Sequence, residues 1–178
     1  LYNGEKFLAA QLSSIKEQTL LPNQIIFIDD ASSINPSYLI KEALAGSGIE
    51  YVILKNDRNR GSNYSFRRGV AYASGDVMLF SDQDDIWLND KIENVKNFFN
   101  RQKNASVVFN DCRFLIDEKA VLFPTKADVI LSYSGSIDHF VAGCCTAFTK
   151  DVAKAVNSGL YGNLNYDDQV HAVGKLLK

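Results

Sequence analysis

The chain has 178 residues, 46% of them hydrophobic and 22% charged, which suits one domain with a sizeable core and excludes a disordered chain. A net charge of −2 with no basic stripe argues against a nucleic-acid partner. Three cysteines, an odd number, argue against a disulfide framework and for a reducing, cytoplasmic home, and no apolar run approaches the roughly 18 residues of a membrane span.

Leu1-Tyr2-Asn3-Gly4 reads as the end of a strand-to-helix turn, so the chain is expected to begin and end inside a longer protein. Residues 5 to 18 place Leu8, Leu12 and Ile15 at helical spacing. Gln24 to Ile28 is an isoleucine-rich buried strand that ends in Asp29-Asp30. Asn35-Pro36 is a helix start, and Leu39, Ile40, Ala43 and Leu44 give that helix its apolar face. Glu50 to Lys55 is a third apolar run, followed by the polar loop 56–62 and a helix over 64–74 carrying Phe66, Val70 and Ala73 inward. Val77 to Phe80 is a strand, and Asn89 or Asp90 caps a helix with Ile92, Val95 and Phe99.

The second half is patterned differently. Ala105 to Phe109 reads as a strand and residues 110–117 as another, whereas residues 120–140 carry little periodicity and are expected to form a loop or flap. Val141 to Phe148 is small and apolar, Lys150 to Asn157 is helical, and a last helix starts near Tyr166. The alternation of strand and helix to about residue 104 implies an α/β domain with a mostly parallel sheet covered on both faces, and a mixed C-terminal part. Ligands in such folds bind outside the carboxyl ends of the strands. Asp29-Asp30 and Asp82-Gln83-Asp84-Asp85 both lie at such ends, so they are expected to open onto one crevice.

The second cluster carries the most chemistry. Carboxylates this close repel one another and resist burial unless something offsets their charge. In an extended strand, Asp82 and Asp84 would share a side at roughly 6.5–7 Å. There one could ligate a cation and the other reach a bound ligand. Oxygen-only ligands favour Mg²⁺ or Mn²⁺. An exposed, idle acidic loop is the plain alternative.

Taken together, Tyr2-Asn3-Gly4, Ile28-Asp29-Asp30-Ala31-Ser32, Asn59 to Gly61 with Gly69 and Gly75-Asp76, Ser81 to Trp87 with Asp90-Lys91, Gly143 to Phe148, and Asp167-Asp168-Gln169-Val170-His171-Ala172 resemble the family 2 glycosyltransferases of the GT-A fold. The Ser-Asp-Gln-Asp-Asp-Ile-Trp form of the acidic motif is similar to rhamnosyltransferase-like members. The chain departs from many members in carrying Phe66 where they have an Arg, with Arg67 and Arg68 following it.

The resemblance implies a single catalytic domain, residues 1–104 binding the nucleotide and 105–178 the acceptor. The implied reaction is inverting, metal-dependent transfer of a sugar from a UDP-, dTDP- or GDP-linked donor to a saccharide or lipid-linked acceptor. That would serve bacterial cell-surface polysaccharide synthesis, with peripheral association at the inner face of the membrane. It implies Asp168 as general base and Asp29, Asp30, Asn59, Arg67 and Asp82 at the nucleotide. Asp84 and Asp82 would hold the cation, and Trp87, Asp85, Gly143, Cys144 and Asp167 would lie on the sugar and acceptor side.

Several residues have plainer alternatives. Trp87 can equally be core, Cys144 and Cys145 read as small buried residues, and Arg58, Arg60, Arg67 and Arg68 can form a solvated face. His139 reads as a loop residue, and His171 could face the site. Competing functions are a receiver domain, a sugar-nucleotide pyrophosphorylase and a non-catalytic nucleotide-sugar-binding module. Asp82 sits in a cluster rather than alone, against the first. Asn3-Gly4-Glu5 supplies no phosphate loop, against the second. A binding module would need no base at Asp168.

Overall fold

A computed structural model describes residues 1–116, 119–120, 124–136, 142–159 and 164–177. In chain order the elements are α1 (Glu5–Lys16), β1 (Gln24–Asp29), α2 (Ser37–Leu44), β2 (Glu50–Lys55), α3 (Ser62–Tyr72), β3 (Val77–Leu79), α4 (Lys91–Arg101), β4 (Val107–Phe109), β5 (Leu115–Ile116), β6 (Lys119–Ala120), α5 (Lys126–Ser134), β7 (Thr146–Thr149), α6 (Lys150–Asn157) and α7 (Tyr166–Leu176). A single 3₁₀ turn, Gly143–Cys145, leads into β7.

β1 and β2 pair in parallel, from Gln24 opposite Glu50 to Asp29 opposite Lys55, with α2 as the crossover. Leu8 and Leu12 of α1 and Ile40 and Leu44 of α2 close on Phe27 and Ile49, all buried, as the helical spacing of these apolar residues requires. The backbone of Leu1 continues the pattern beside β1: its nitrogen donates to the Ile28 carbonyl at 2.6 Å, and its carbonyl accepts from Asp30 N–H at 2.8 Å.

The mixed character expected in the second half enters through β7. It lies between β3 and β4 and runs antiparallel to both, with Phe148 opposite Met78 and Ala147 opposite Val108. α3, α6 and α7 cover this sheet with Val70, Val152, Val156, Val170 and Val173. Phe80 anchors the core, its ring 4.6 Å from Phe66, 4.8 Å from Phe148 and 5.9 Å from Tyr166. Gly174 lets α7 press onto β4, because a Cβ there would run into the Val107 side chain.

Two expectations are overturned. Residues 126–134 are helical, not part of a loop or flap. Thr125 and Asp128 form a reciprocal capping box, and Gly135 closes the helix at φ 67°. The strand expected over 110–117 is confined to Leu115–Ile116, paired with Lys119–Ala120. Upstream of it the Asp111 side chain takes the backbone N–H of Cys112 at 2.8 Å and of Ala127 at 3.0 Å, a local alternative to a strand ladder. The helix starting at Asn35-Pro36 begins one residue later than read, with Asn35 Oδ1 accepting from Ser37 N–H at 2.9 Å.

Candidate active site

Two polar side chains of α1, Gln11 and Ser14, and Gln18 just beyond its end hold the acidic loop in place. Gln11, Ser14 and Gln18 recur at spacings of three and four and are all buried. Gln11 Nε2 donates to Ser81 Oγ at 2.9 Å and to the Asp82 carbonyl. Ser14 Oγ accepts from Trp87 N–H at 3.1 Å. Gln18 donates to the Leu88 carbonyl at 2.8 Å and accepts from Ile92 N–H at 3.1 Å, while Thr19 N–H reaches the Asn89 carbonyl at 2.8 Å. The loop leaving β3 is thus bonded along its length to α1 and the residues that directly follow it, which satisfies backbone groups that would otherwise be costly to bury. Gly4 adds to this fit: Gln83 packs where its Cβ would be, bonding both ways with the Tyr2 backbone.

This clamp changes the geometry of the carboxylates. The chain turns at Asp82, with Asp85 N–H reaching the Asp82 carbonyl at 3.4 Å. The extended spacing that would put Asp82 and Asp84 side by side is therefore replaced. Asp82 and Asp85 come together with Cys144, one ligand atom of each lying within 4.8 Å of the others, and Asp84 is exposed. Burial, then the charges of Asp85, Asp84 and Asp167, push the Asp82 carboxyl up to about 6, with Lys126 acting the other way. Asp85 is raised chiefly by burial, and its Oδ2 is enclosed without a hydrogen-bond partner among the described residues. This site has a deficit of positive charge.

The acids ending β1 are held differently. Asp29 is 1% exposed; its Oδ1 accepts from Ser32 N–H at 2.9 Å, and Lys55 Nζ lies 3.8 Å from its Oδ2. Asp30 receives Asn56 Nδ2 at 2.6 Å, Arg60 N–H at 2.8 Å and Gly61 N–H at 2.8 Å. Burial works to raise the Asp30 pKa, but these hydrogen bonds outweigh it and hold the carboxyl below its ordinary value. Three of its about four acceptor positions are filled, leaving one on Oδ2. Ala31 follows at φ 65°, a strained left-handed turn directly after the strand. Asn59 Oδ1 accepts from Gly61 N–H at 3.0 Å.

The opposite wall comes from the start of α7. Asp167 lies within electrostatic reach of Asp82, and a Cβ on Gly143 would meet its Oδ2 at 3.8 Å. Asp168 is half-buried one residue on, its N–H bonded to Asp167 Oδ1 at 3.1 Å. Arg67 donates to Gln169 Oε1 at 3.0 Å and lies over the Tyr166 ring at 5.1 Å, so it ties α3 to α7. Arg68 donates to the Lys55 carbonyl at 2.8 Å and to Asn56 Oδ1 at 2.5 Å. Trp87 is buried at 8% exposure, its ring under Lys91 Nζ at 4.1 Å, and Lys91 also donates to the Cys144 carbonyl at 2.9 Å. His171 packs edge-on against Phe109 at 5.1 Å, and His139 lies outside the described residues.

Gln11, Ser14 and Gln18 are the residues that sequence reasoning missed. Their spacing was the available signal, but polar side chains on an amphipathic helix ordinarily mark the solvent side.

An α/β domain whose strand-end acids face a helix N-terminus carrying two further acids has the layout of a nucleotide-diphosphate-sugar-binding domain of GT-A type. The chain belongs to Glycosyl transferase family 2, whose model matches residues 1–157. Among curated relatives it is 27% identical over 145 residues to the Escherichia coli UDP-Glc:alpha-D-GlcNAc-diphosphoundecaprenol beta-1,3-glucosyltransferase WfgD, covering 82% of this chain and 55% of that one. It is 36% identical over 97 residues to the Shigella flexneri dTDP-rhamnosyl transferase RfbG, covering 52% and 30%. Both relatives are thus matched over about half their length or less. Among solved structures, the mannosyltransferase PcManGT from Pyrobaculum calidifontis, in complex with GDP-Man and Mn²⁺, superposes with a TM-score of 0.72 at 19% identity, covering 97% of this chain and 48% of that one. At that identity the likeness shows the fold.

Proposed function

We propose that this chain is the catalytic domain of an inverting glycosyltransferase. It moves a sugar from a nucleoside diphosphate to an acceptor hydroxyl in bacterial cell-surface polysaccharide synthesis, with residues 1–104 on the donor side and 105–178 on the acceptor side. The observation that carries the reading is convergence: the Leu1 nitrogen is within electrostatic reach of Asp29, Asp30 and Asp82, and Asp82 is within reach of Asp167. Three separate segments of acid within reach of one another support a single shared site.

The acidic loop fits a hard divalent cation, Mg²⁺ or Mn²⁺, held by Asp82 and Asp85, which lie together, with the exposed Asp84 completing the set from the same turn. The carboxylates crowd one another, and Asp85 Oδ2 is buried without a partner among the described residues. When bound, such an ion supplies Lewis-acid neutralisation of the departing diphosphate. The PcManGT complex with Mn²⁺ supports this choice of ion.

Asp30 keeps one acceptor position for a nucleoside N–H or ribose hydroxyl, while Asp29 fixes the turn behind it. Asn59 and the 60–61 backbone flank that position. Inversion needs in-line attack from the face away from the leaving group, so a base must stand across the crevice from the diphosphate. Asp168 takes the acceptor proton there. Asp167 faces Asp82 and, with the Gly143-Cys144 backbone, borders the sugar. Arg67 orders this wall through Gln169 and Tyr166.

A donor linked to UDP, dTDP or GDP agrees with the nucleotides named for the relatives, and the diphosphoundecaprenol in WfgD's name supports a lipid-linked acceptor. Among the described residues no helix is long and apolar enough to cross a membrane. Incubating the protein with Mn²⁺, a panel of nucleotide sugars and lipid-linked or oligosaccharide acceptors, read by mass spectrometry, tests the reading. One donor is expected to be consumed with transfer to an acceptor. Nucleotide binding without any consumption would instead favour a binding module.

A further inference from the structure

Lys91 goes against three ordinary preferences at once. It is the first residue of α4, the end of a helix that disfavours a cation. Its ammonium is largely enclosed, and burial pulls its pKa below the ordinary value, with Asp85 among the groups acting the other way. Among the described residues no carboxylate oxygen lies within the 4.0 Å of an ion pair, the usual condition for enclosing a charge. A side chain that breaks local rules in this way marks a place where a site requires it.

The contacts of Lys91 say what requires it. Nζ stands 4.1 Å from the centre of the buried Trp87 ring and donates to the Cys144 carbonyl at 2.9 Å. Trp87 belongs to the acidic loop, and Cys144 to the 3₁₀ turn fifty-three residues further along the chain. The same ammonium is within electrostatic reach of Asp85, whose Oδ2 is enclosed without a hydrogen-bond partner among the described residues. Lys91 therefore answers the Asp85 charge through space, while its hydrogen bond goes to the turn. Gln11, Ser14 and Gln18 hold the same loop but are neutral, so they cannot offset its charge.

We propose that Lys91 is a positioning residue with two separable effects. Its ammonium is a resident counter-ion of Asp85 that a divalent cation must work against, and its bond to Cys144 seats the 143–145 turn against the acidic loop. Without metal the first effect stabilises the fold. With metal, two positive charges share Asp85, and their repulsion loosens the hold on the ion. The second effect rests on the glycosyltransferase reading above, because it places the sugar-side turn; the first needs no nucleotide and no sugar.

Mn²⁺ titration of the protein without nucleotide, read by loss of the free-ion electron paramagnetic resonance signal, tests the first effect. Lys91→Met is expected to bind Mn²⁺ about tenfold more tightly, the order set by removing a unit charge a few ångström from a divalent ion even at the dielectric of water. Lys91→Arg keeps the charge and should stay near the parent, whereas a merely structural lysine would give weaker binding on replacement. Metal-free urea unfolding supplies a second readout: Lys91→Met should lower stability, and lower it less when Asp85→Asn is already present. Where Lys91→Met does not fold, Lys91→Gln carries the same comparisons. With saturating Mn²⁺, sugar transfer by Lys91→Met should lose kcat while the donor KM changes little. Equal or weaker Mn²⁺ binding by the folded neutral variant, or the same stability loss in both Asp85 backgrounds, would overturn the proposal. A parent protein that binds no Mn²⁺ would remove the cation site and this role with it. A parent that binds Mn²⁺ but transfers no sugar would overturn the glycosyltransferase reading and leave the counter-ion role to the titration and unfolding results.

Discussion

The hydroxyl of Ser14 accepts the backbone N–H of Trp87 at 3.1 Å, joining the middle of the first helix to the end of the acidic loop seventy-three residues away. Both groups are buried, so the bond has no solvent substitute. Ser14→Ala leaves that N–H unsatisfied and is expected to destabilise the fold by about 1–3 kcal/mol in urea unfolding. Ser13→Ala, on the exposed side of the same helix, should stay within about 0.5 kcal/mol of the parent. Equal effects at the two positions would remove the clamp from the account.

Asp30 predicts an acid limb of the stability curve. Its carboxyl is held below its ordinary value, so its contribution is fully present above about pH 3.9 and is lost as pH falls through the lower folded-state pKa. Asp30→Asn cannot accept all three donors. It should lower stability at neutral pH, and the gap to the parent protein should close in strong acid. Melting curves from neutral pH down into that range check this.

Asp82 predicts the opposite sign. Its folded-state value of about 6 lies above the unfolded one, so its ionised form destabilises the metal-free protein above that pH. The penalty shrinks as pH falls through 6 and vanishes below the ordinary carboxyl value. Without metal, Asp82→Asn should raise the melting temperature at pH 7 and raise it less at pH 5. Addition of Mn²⁺ should stabilise the parent and not the variant.

Helix α7 is seated by a glycine. Gly174→Ala drives a methyl into Val107 and is expected to cost about 1–3 kcal/mol, as overpacking does. Pairing it with Val107→Ala should recover part of that loss. An additive double variant would mean that the two sites do not touch.

Much of this was legible in the sequence because the signals were local. The isoleucine-rich run before Asp29-Asp30 and the apolar run before Asp82 marked strands whose ends carry the acids. Three features were not legible. α5 has a weak apolar stripe, so the Thr125–Asp128 box and Gly135 passed as loop residues. The turn at Asp82–Asp85 follows from Gln11 and Ser14, which lie about seventy residues upstream. Cys112 packs against Cys145 while the neighbouring Asp111 binds the start of α5, tertiary contacts that no spacing rule contains.

The central claim is that the acids near 30 and near 84 serve one nucleotide-and-cation site. Thermal unfolding with UDP, dTDP or GDP, each with and without Mn²⁺, tests it in the parent protein and in Asp84→Asn. At a ligand concentration of about 100 times Kd, binding stabilises the fold by about 2.7 kcal/mol. One nucleotide should raise the parent's melting temperature only when Mn²⁺ is present, and Asp84→Asn should abolish that rise. No Mn²⁺-dependent shift with any nucleotide, or a full shift in Asp84→Asn, would contradict the account.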